Sequence, residues 1–171
     1  VKTNAVSIKK LKASTVYKIK VVAYKSVGGK VLLGAENVAA IMTTPSAVKG
    51  LKTSRNGVSS ITLSWNKVAS ADGYIVYRFN GKNWIKIKQI SKNTTVSFVS
   101  SKLRAGTEWK YKVVAYKKHG NSVVANVGSQ ISSVTLPTAP VVVTRAGKGS
   151  VTLGWNGVTG ADGYEVYMRT T

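Results

Sequence analysis

Cysteine is absent from the 171 residues, and histidine occurs once, as His119. Such a chain can build no disulfide framework, zinc finger, iron–sulfur site or thiol nucleophile. Acidic residues are nearly as scarce, with 5 Asp+Glu against 26 Lys+Arg and a net charge of +21. So few carboxylates, spread over the whole length, leave little for acid–base or metal chemistry. No apolar run approaches the roughly 18 residues that would suggest a membrane helix. The N-terminal VKTNAVSIKK lacks the basic-then-apolar layout of a secretory signal. The charged share is only 18%, whereas the hydrophobic share of 43% is ordinary. The chain therefore has the means to form an apolar core and is not a disordered basic tail.

What is present is a repeat. Leu11-Lys12-Ala13-Ser14-Thr15-Val16-Tyr17, continuing to Val21-Val22-Ala23-Tyr24, recurs 92 positions later as Leu103-Arg104-Ala105-Gly106-Thr107-Glu108-Trp109 and Val113-Val114-Ala115-Tyr116. Ile61-Thr62-Leu63-Ser64-Trp65-Asn66, followed by Ala71-Asp72-Gly73-Tyr74 and Val76-Tyr77, recurs 90 positions later as Val151 to Asn156, Ala161 to Tyr164 and Val166-Tyr167. Thr44-Pro45 aligns with Leu136-Pro137. A period of this size is that of a whole domain, far longer than a solenoid unit.

Each unit reads as β-strands. Ile61, Leu63 and Trp65 alternate with Ser60, Thr62 and Ser64, and Trp109, Tyr111, Val113 and Ala115 alternate with Lys110, Lys112, Val114 and Tyr116. Ile85 and Ile87 alternate with Lys86 and Lys88, and Val123 to Leu136 is one long β-branched stretch. Turn signals fall between these runs at Asp72-Gly73, Asn80-Gly81, Ala105-Gly106 and His119-Gly120-Asn121. Helical periodicity is missing, so an all-β sandwich is expected. Trp65, Leu63, Tyr74, Val76, Leu103, Trp109 and Val113 should form its core.

The Leu103-x-Ala105-x-Thr107-x-Trp109-x-x-x-Val113-x-Ala115 pattern resembles the fibronectin type III signature around strand F. Leu11, Ala13, Thr15, Tyr17, Val21 and Ala23 repeat it with the more usual tyrosine. The Trp65 and Trp155 strands with Ala-Asp-Gly-Tyr-x-Val-Tyr resemble strands B and C of that family. The wording is similar to repeats of large surface and secreted proteins of Gram-positive bacteria. The resemblance implies tandem immunoglobulin-like (fibronectin type III) sandwiches. Residues 1–44 would hold strands E, F and G of one unit, 46–136 a complete domain, and 138–171 strands A, B and C of the next. The chain would then be a window on a longer array, and the missing signal sequence would carry no weight. Trp109 departs from the family's tyrosine, and its indole N–H is expected to replace the hydroxyl as the polar handle.

Chemistry is thin in these residues. Asp72 and Asp162 occupy one position in two repeats and read as turn residues rather than a catalytic pair. His119 has no acid near it in sequence to orient it as a base. The integrin motif Arg-Gly-Asp known from this family is absent from the loops Lys25-Ser26-Val27-Gly28-Gly29 and Lys117-Lys118-His119-Gly120-Asn121. Asn93-Thr94-Thr95 is a lone glycosylation triplet of low specificity. No cofactor is implied, and no enzyme.

The lysines stand out. If Ile85, Ile87, Trp109, Tyr111 and Val113 face inward, then Lys86, Lys88, Lys110 and Lys112 cover the outer face of one sheet, with Tyr77 and Tyr116 among them. Lys18, Lys20 and Tyr24 would be the first unit's equivalents. Lysine also serves solubility and protects sheet edges. A charge of +21 nevertheless exceeds the roughly 2–8 that suffices for a small domain. An acidic glycan, teichoic acid, anionic lipopolysaccharide or extracellular DNA would suit such a face, without base-specific reading and without membrane insertion. The expected role is a non-catalytic structural and adhesive module of an extracellular or cell-surface array, forming a stalk or filament through neighbouring repeats. A spacer in a secreted hydrolase and a phage or virion decoration domain are the alternatives. The linkers Thr43-Thr44-Pro45-Ser46 and Leu136-Pro137-Thr138-Ala139-Pro140 are short and proline-bearing, and should be semi-rigid.

Overall fold

The computed structural model describes residues 4–170; Val1, Lys2, Thr3 and Thr171, which the expected domain bounds include, lie outside them. All its regular elements are strands. The first unit contributes β1 (Val16–Val27) and β2 (Lys30–Met42). The central unit contributes β3 (Lys52–Asn56), β4 (Ile61–Ser64), β5 (Gly73–Phe79), β6 (Trp84–Ile90), β7 (Ser97–Ser100), β8 (Glu108–His119), β9 (Ser122–Ala125) and β10 (Ser129–Val134). The last unit contributes β11 (Val142–Gly147) and β12 (Ser150–Trp155).

The central unit is a sandwich of two antiparallel sheets, one ordered β3-β4-β7 and the other β10-β8-β5-β6 with β9 also on β8. Two-residue alternation explains what lies between them. Ile61, Leu63, Tyr74, Val76, Tyr111, Val113 and Ala115 are fully enclosed, with Trp65, Val68 and Leu103 nearly so. Removing such a side chain down to Ala costs about 2–5 kcal/mol. The Trp65 and Tyr74 rings meet edge to face at 5.2 Å. Tyr74 Oη accepts from Val68 N at 2.8 Å and donates to Asn93 O at 3.1 Å, so its polar end is satisfied inside the core.

Several expectations need correction. Trp109 only packs against the core from a half-buried position. Its Nε1 is buried without a hydrogen-bond partner, so the indole fills the corner but does not replace the hydroxyl. In the first unit Tyr17 Oη accepts from Lys12 N at 2.9 Å, which is the bond the indole cannot make. Ile85 is 46% exposed. It sits opposite Arg78, one pair in from the turn that joins β5 to β6. The 123–136 stretch is broken into β9 and β10. Asn126 turns its Oδ1 toward Ala115 N at 3.3 Å, and Gly128 adopts a φ of +86° that a β-branched residue could not hold.

The end units are hairpins. Segments 5–8 and 163–169, equivalent to β7 and β5, carry no strand. The neighbours of their counterparts in the central unit, β4 and β8, have no equivalent within the same end unit, so there is no ladder for them to join. The junctions are closely built. Asn126 Nδ2 donates to Ser46 O at 2.7 Å, and Leu136 N to Gly57 O at 3.0 Å. Gly106 packs backbone to backbone on the last unit: a Cβ there would lie 2.6 Å from Gly160 Cα and 2.7 Å from Thr159 O.

Candidate functional site

The outer face of the β10-β8-β5-β6 sheet is organised by register. Tyr77 lies opposite both Lys86 and Lys112, and Lys112 lies opposite Gln130. These residues form a row across four strands. The Asn80-Gly81 turn sets that row, because Asn80 Oδ1 accepts from Lys82 N and Asn83 N and so places Phe79 opposite Trp84. Lys112 Nζ then rests 5.0 Å from the ring centroids of both Tyr77 and Trp84. A cation held over two rings is oriented as well as stabilised, by roughly 0.5–1 kcal/mol per contact at such an exposed site. Phe79 braces Trp84 from 5.4 Å. A shallow depression of about 210 Å³ opens beside them, lined by Trp84, Lys110, Gln130, Ile131 and Ser132.

Of the residues expected on this face, Lys86, Lys110, Lys112 and Tyr77 are brought together. Lys88 is exposed but out of the row, because the register shifts at Val76/Tyr77 and Ile87 and Lys88 crowd opposite Val76. Tyr116 is not available: it is fully buried. It lies opposite Gly73, whose missing side chain leaves room for the ring, 3.1 Å from where a Cβ would stand. Lys18 and Lys20 are exposed on the separate β1–β2 sheet, and Lys20 Nζ is paired with Glu36 at 2.8 Å. Tyr24 of that unit is exposed.

Sequence reasoning missed Trp84, Gln130 and Ser132. Counting outward from the Asn80-Gly81 turn would have paired position 79 with 84 and revealed the tryptophan. Arg78 was missed too. Alternation turns it inward at the end of the sandwich, where its guanidinium stacks 4.9 Å from the Trp109 ring centre.

The other candidates turn out to be structural. Asp72 accepts from Lys117 Nζ at 2.7 Å and from Lys118 N at 2.9 Å, clamping the start of β5 to the end of β8. The Lys117 hydrogen bond, then the Lys118 N–H, hold its carboxyl below the usual carboxylate range. Asn93 Nδ2 donates to Ala71 O at 2.9 Å, which ties the amide of the glycosylation triplet into the fold. His119 ends β8, exposed. Among the described residues no three of His, Cys, Asp and Glu converge as metal ligands would, and no helix is long and apolar enough to cross a membrane.

Residues 46–129 match the family model of the fibronectin type III domain. This agrees with the sandwich above, and the chain carries a fibronectin type III-like domain within an all-β, tandem arrangement. Among curated proteins it is 30% identical over 147 residues to Exoglucanase B of Cellulomonas fimi, covering 75% of this chain and 13% of that protein. It is 37% identical over 70 residues to a poly(3-hydroxybutyrate) depolymerase of Ralstonia pickettii, covering 41% of this chain and 13% of that protein. The chain thus spans a small fraction of these relatives. Among solved structures, the FN1–FN3 domains of chicken CNTN1 are similar over 74% of this chain and 44% of that one, at 19% identity and a TM-score of 0.48.

Proposed function

We propose that this chain is a non-catalytic stretch of tandem fibronectin type III-like units from a larger extracellular protein, and that it holds its neighbours apart while contacting an acidic polymer. The observation that carries this reading is the row Lys86–Tyr77–Lys112 with Lys110 beside it, in a chain of net charge +21. Only two ion pairs occur among the described residues, Lys20–Glu36 and Lys117–Asp72, so the row itself is not neutralised. The rings of Tyr77 and Trp84 hold Lys112 at a fixed place on the sheet. The short, hydrogen-bonded junctions suit a spacer.

The test is retention on immobilised heparin and on teichoic acid as salt is raised. Exposed charge contacts are screened over about 10 Å at 0.1 M salt, so binding should fall steeply. Replacing Lys86, Lys110 and Lys112 by Gln should weaken it more than replacing three lysines elsewhere, such as Lys49, Lys52 and Lys67. Equal losses in the two triple variants would sink the specific face.

A second reading has support of its own. Both curated relatives above carry the names of degradative enzymes. In that reading the chain is the spacer between domains of a secreted hydrolase. Deleting the central unit from the full-length protein should then lower activity on insoluble polymer and leave activity on a small soluble substrate unchanged. A phage or virion decoration domain remains a third setting for the same fold, and no observation favours it.

A further inference from the structure

Three aromatic side chains of the central unit lie outside its core. Tyr77, Phe79 and Trp84 are half-buried on the outer face of the β10-β8-β5-β6 sheet, and none of them belongs to the core cluster or packs against it. The sandwich does not need these rings for its interior. Large rings gathered on an outer face mark a contact surface.

Trp84 stands on β6, whereas Gln130, Ile131 and Ser132 stand on β10, at the other edge of the sheet. With Lys110 of β8 they nevertheless line one depression, which therefore crosses the sheet. At about 210 Å³ it is smaller than the roughly 300–1,000 Å³ of a pocket that encloses a small molecule. It suits a single ring of a longer chain. Its lining is chemically mixed, with an indole, an ammonium, an amide and a hydroxyl. Gln130 and Ser132 are exposed, and neither side chain is hydrogen-bonded to another described residue.

This lining favours one kind of acidic polymer over others. An amide and a hydroxyl both donate and accept, which matches the hydroxyl groups of a sugar. A phosphodiester only accepts, and would leave the Gln130 carbonyl and a lone pair of Ser132 unmatched. The cations are also sparse. Lys112 is held against the Tyr77 and Trp84 rings. Lys86 and Lys110 lie two strands apart, roughly 10–12 Å at Cα from ordinary sheet spacings. A DNA strand carries a charge about every 3.4 Å, so most of its phosphates would find no partner here. Nor do the rings offer a platform for successive bases, which stack on flat faces. Phe79 and Trp84 are tilted by 53°, and a base would have to displace Lys112 to reach the ring faces it covers. The C–H groups of a sugar need no parallel stack. They need only apolar surface beside hydrogen-bonding groups.

Resting on the acidic-polymer reading above, we propose that this depression is a saccharide subsite, which takes one pyranose ring of a uronic-acid polysaccharide. The C–H side of the ring packs against the Trp84 indole. Its hydroxyls bond to Gln130 and Ser132, and its carboxylate meets Lys110. The chain then crosses the sheet past Tyr77, and a later carboxylate meets Lys86. Lysine charge supplies attraction to any polyanion, whereas Trp84 and Gln130 supply the preference for a sugar.

The test compares three probes by fluorescence anisotropy: labelled oligogalacturonate, inorganic polyphosphate and oligo(dT). Trp84→Ala should weaken oligogalacturonate binding about tenfold or more, as for a tryptophan anchor, and leave polyphosphate binding unchanged. Gln130→Ala should weaken it about two- to tenfold. The loss on Trp84→Ala should keep its factor as salt is raised, because contact with an uncharged ring is not screened, while the loss on Lys110→Gln should shrink. Thermal melting checks that both alanine variants stay folded. In the unsubstituted chain, the Trp84 Nε1–H nuclear magnetic resonance signal should shift with oligogalacturonate and not with polyphosphate. Unchanged oligogalacturonate binding in Trp84→Ala and Gln130→Ala, with binding lost on Lys86, Lys110 and Lys112→Gln, would overturn the subsite and leave the acidic-polymer reading standing. A Trp84→Ala loss as large for polyphosphate, or larger for oligo(dT), would overturn it as well. Failure of the chain to bind any of the three probes would overturn both.

Discussion

Trp109→Tyr should stabilise the central unit, although it shrinks a residue packed on the core. Trp109 Nε1 is buried with no partner, and an unsatisfied buried donor costs about 1–3 kcal/mol. A tyrosine at this position offers an oxygen to Arg104 N, by the equivalence with Tyr17 accepting from Lys12 N at 2.9 Å. Such a bond contributes about 1 kcal/mol. Against it stand the lost ring area, about 1 kcal/mol, and a weaker stack under Arg78, about 0.5 kcal/mol. The balance is a gain of about 0.5–2.5 kcal/mol. For a domain of this size each kcal/mol raises the melting temperature by roughly 4–8 °C. Thermal unfolding of the whole chain by far-ultraviolet circular dichroism reads this without relying on the deleted indole. Trp109→Phe is the control, since it removes the N–H but adds no acceptor, and it should melt below the Tyr variant. A Tyr variant no more stable than wild type would refute the reasoning. Equal melting of the Phe and Tyr variants would show that the corner bond contributes nothing.

The pH dependence has two arms. Asp72 has a lowered pKa in the folded state, so its stabilisation is complete above its ordinary value of 3.8 and is lost as pH falls through the folded value. Asp72→Asn should flatten acid unfolding below about pH 4, monitored by chemical denaturation across pH. Burial pushes the Tyr111 phenol above its ordinary 10.0, so its contribution is complete below pH 10 and is lost as pH rises through the folded value. Tyr111→Phe should remove that alkaline loss, and an unchanged alkaline limb would refute the assignment. At the second junction Gly106→Ala should cost about 1 kcal/mol from its φ of +58°. It should also loosen the last unit against the central one, seen as a broader distance distribution in small-angle scattering. Gly160→Ala, whose Cβ would meet the Gly106 backbone from the other side, should do the same.

The repeat, the β period and the domain class were legible because each is carried by short-range patterning. Leu63, Val76 and Val113 announce their burial through alternation alone, since every second side chain of a strand faces one way. The Asp-Gly and Asn-Gly turns declare themselves by backbone preference. The candidate face was legible only in part. Alternation placed Lys86, Lys110 and Lys112 outside correctly, but parity fails at a bulge, and Lys88 left the row for that reason. Tyr116 has outward parity and is nonetheless buried, because the glycine opposite it is remote in sequence and leaves room for the ring.

Tertiary structure alone decided which rings hold Lys112, which donor was left without a partner and which faces stayed bare. Each of these depends on pairing between strands far apart in the chain. Trp84 reaches Lys112 only because β6 and β8 both flank β5. The bareness of Trp155 and Val21 depends on neighbours that neither hairpin contains. A side chain's direction follows from the residues beside it, whereas its surroundings follow from the strands laid across it.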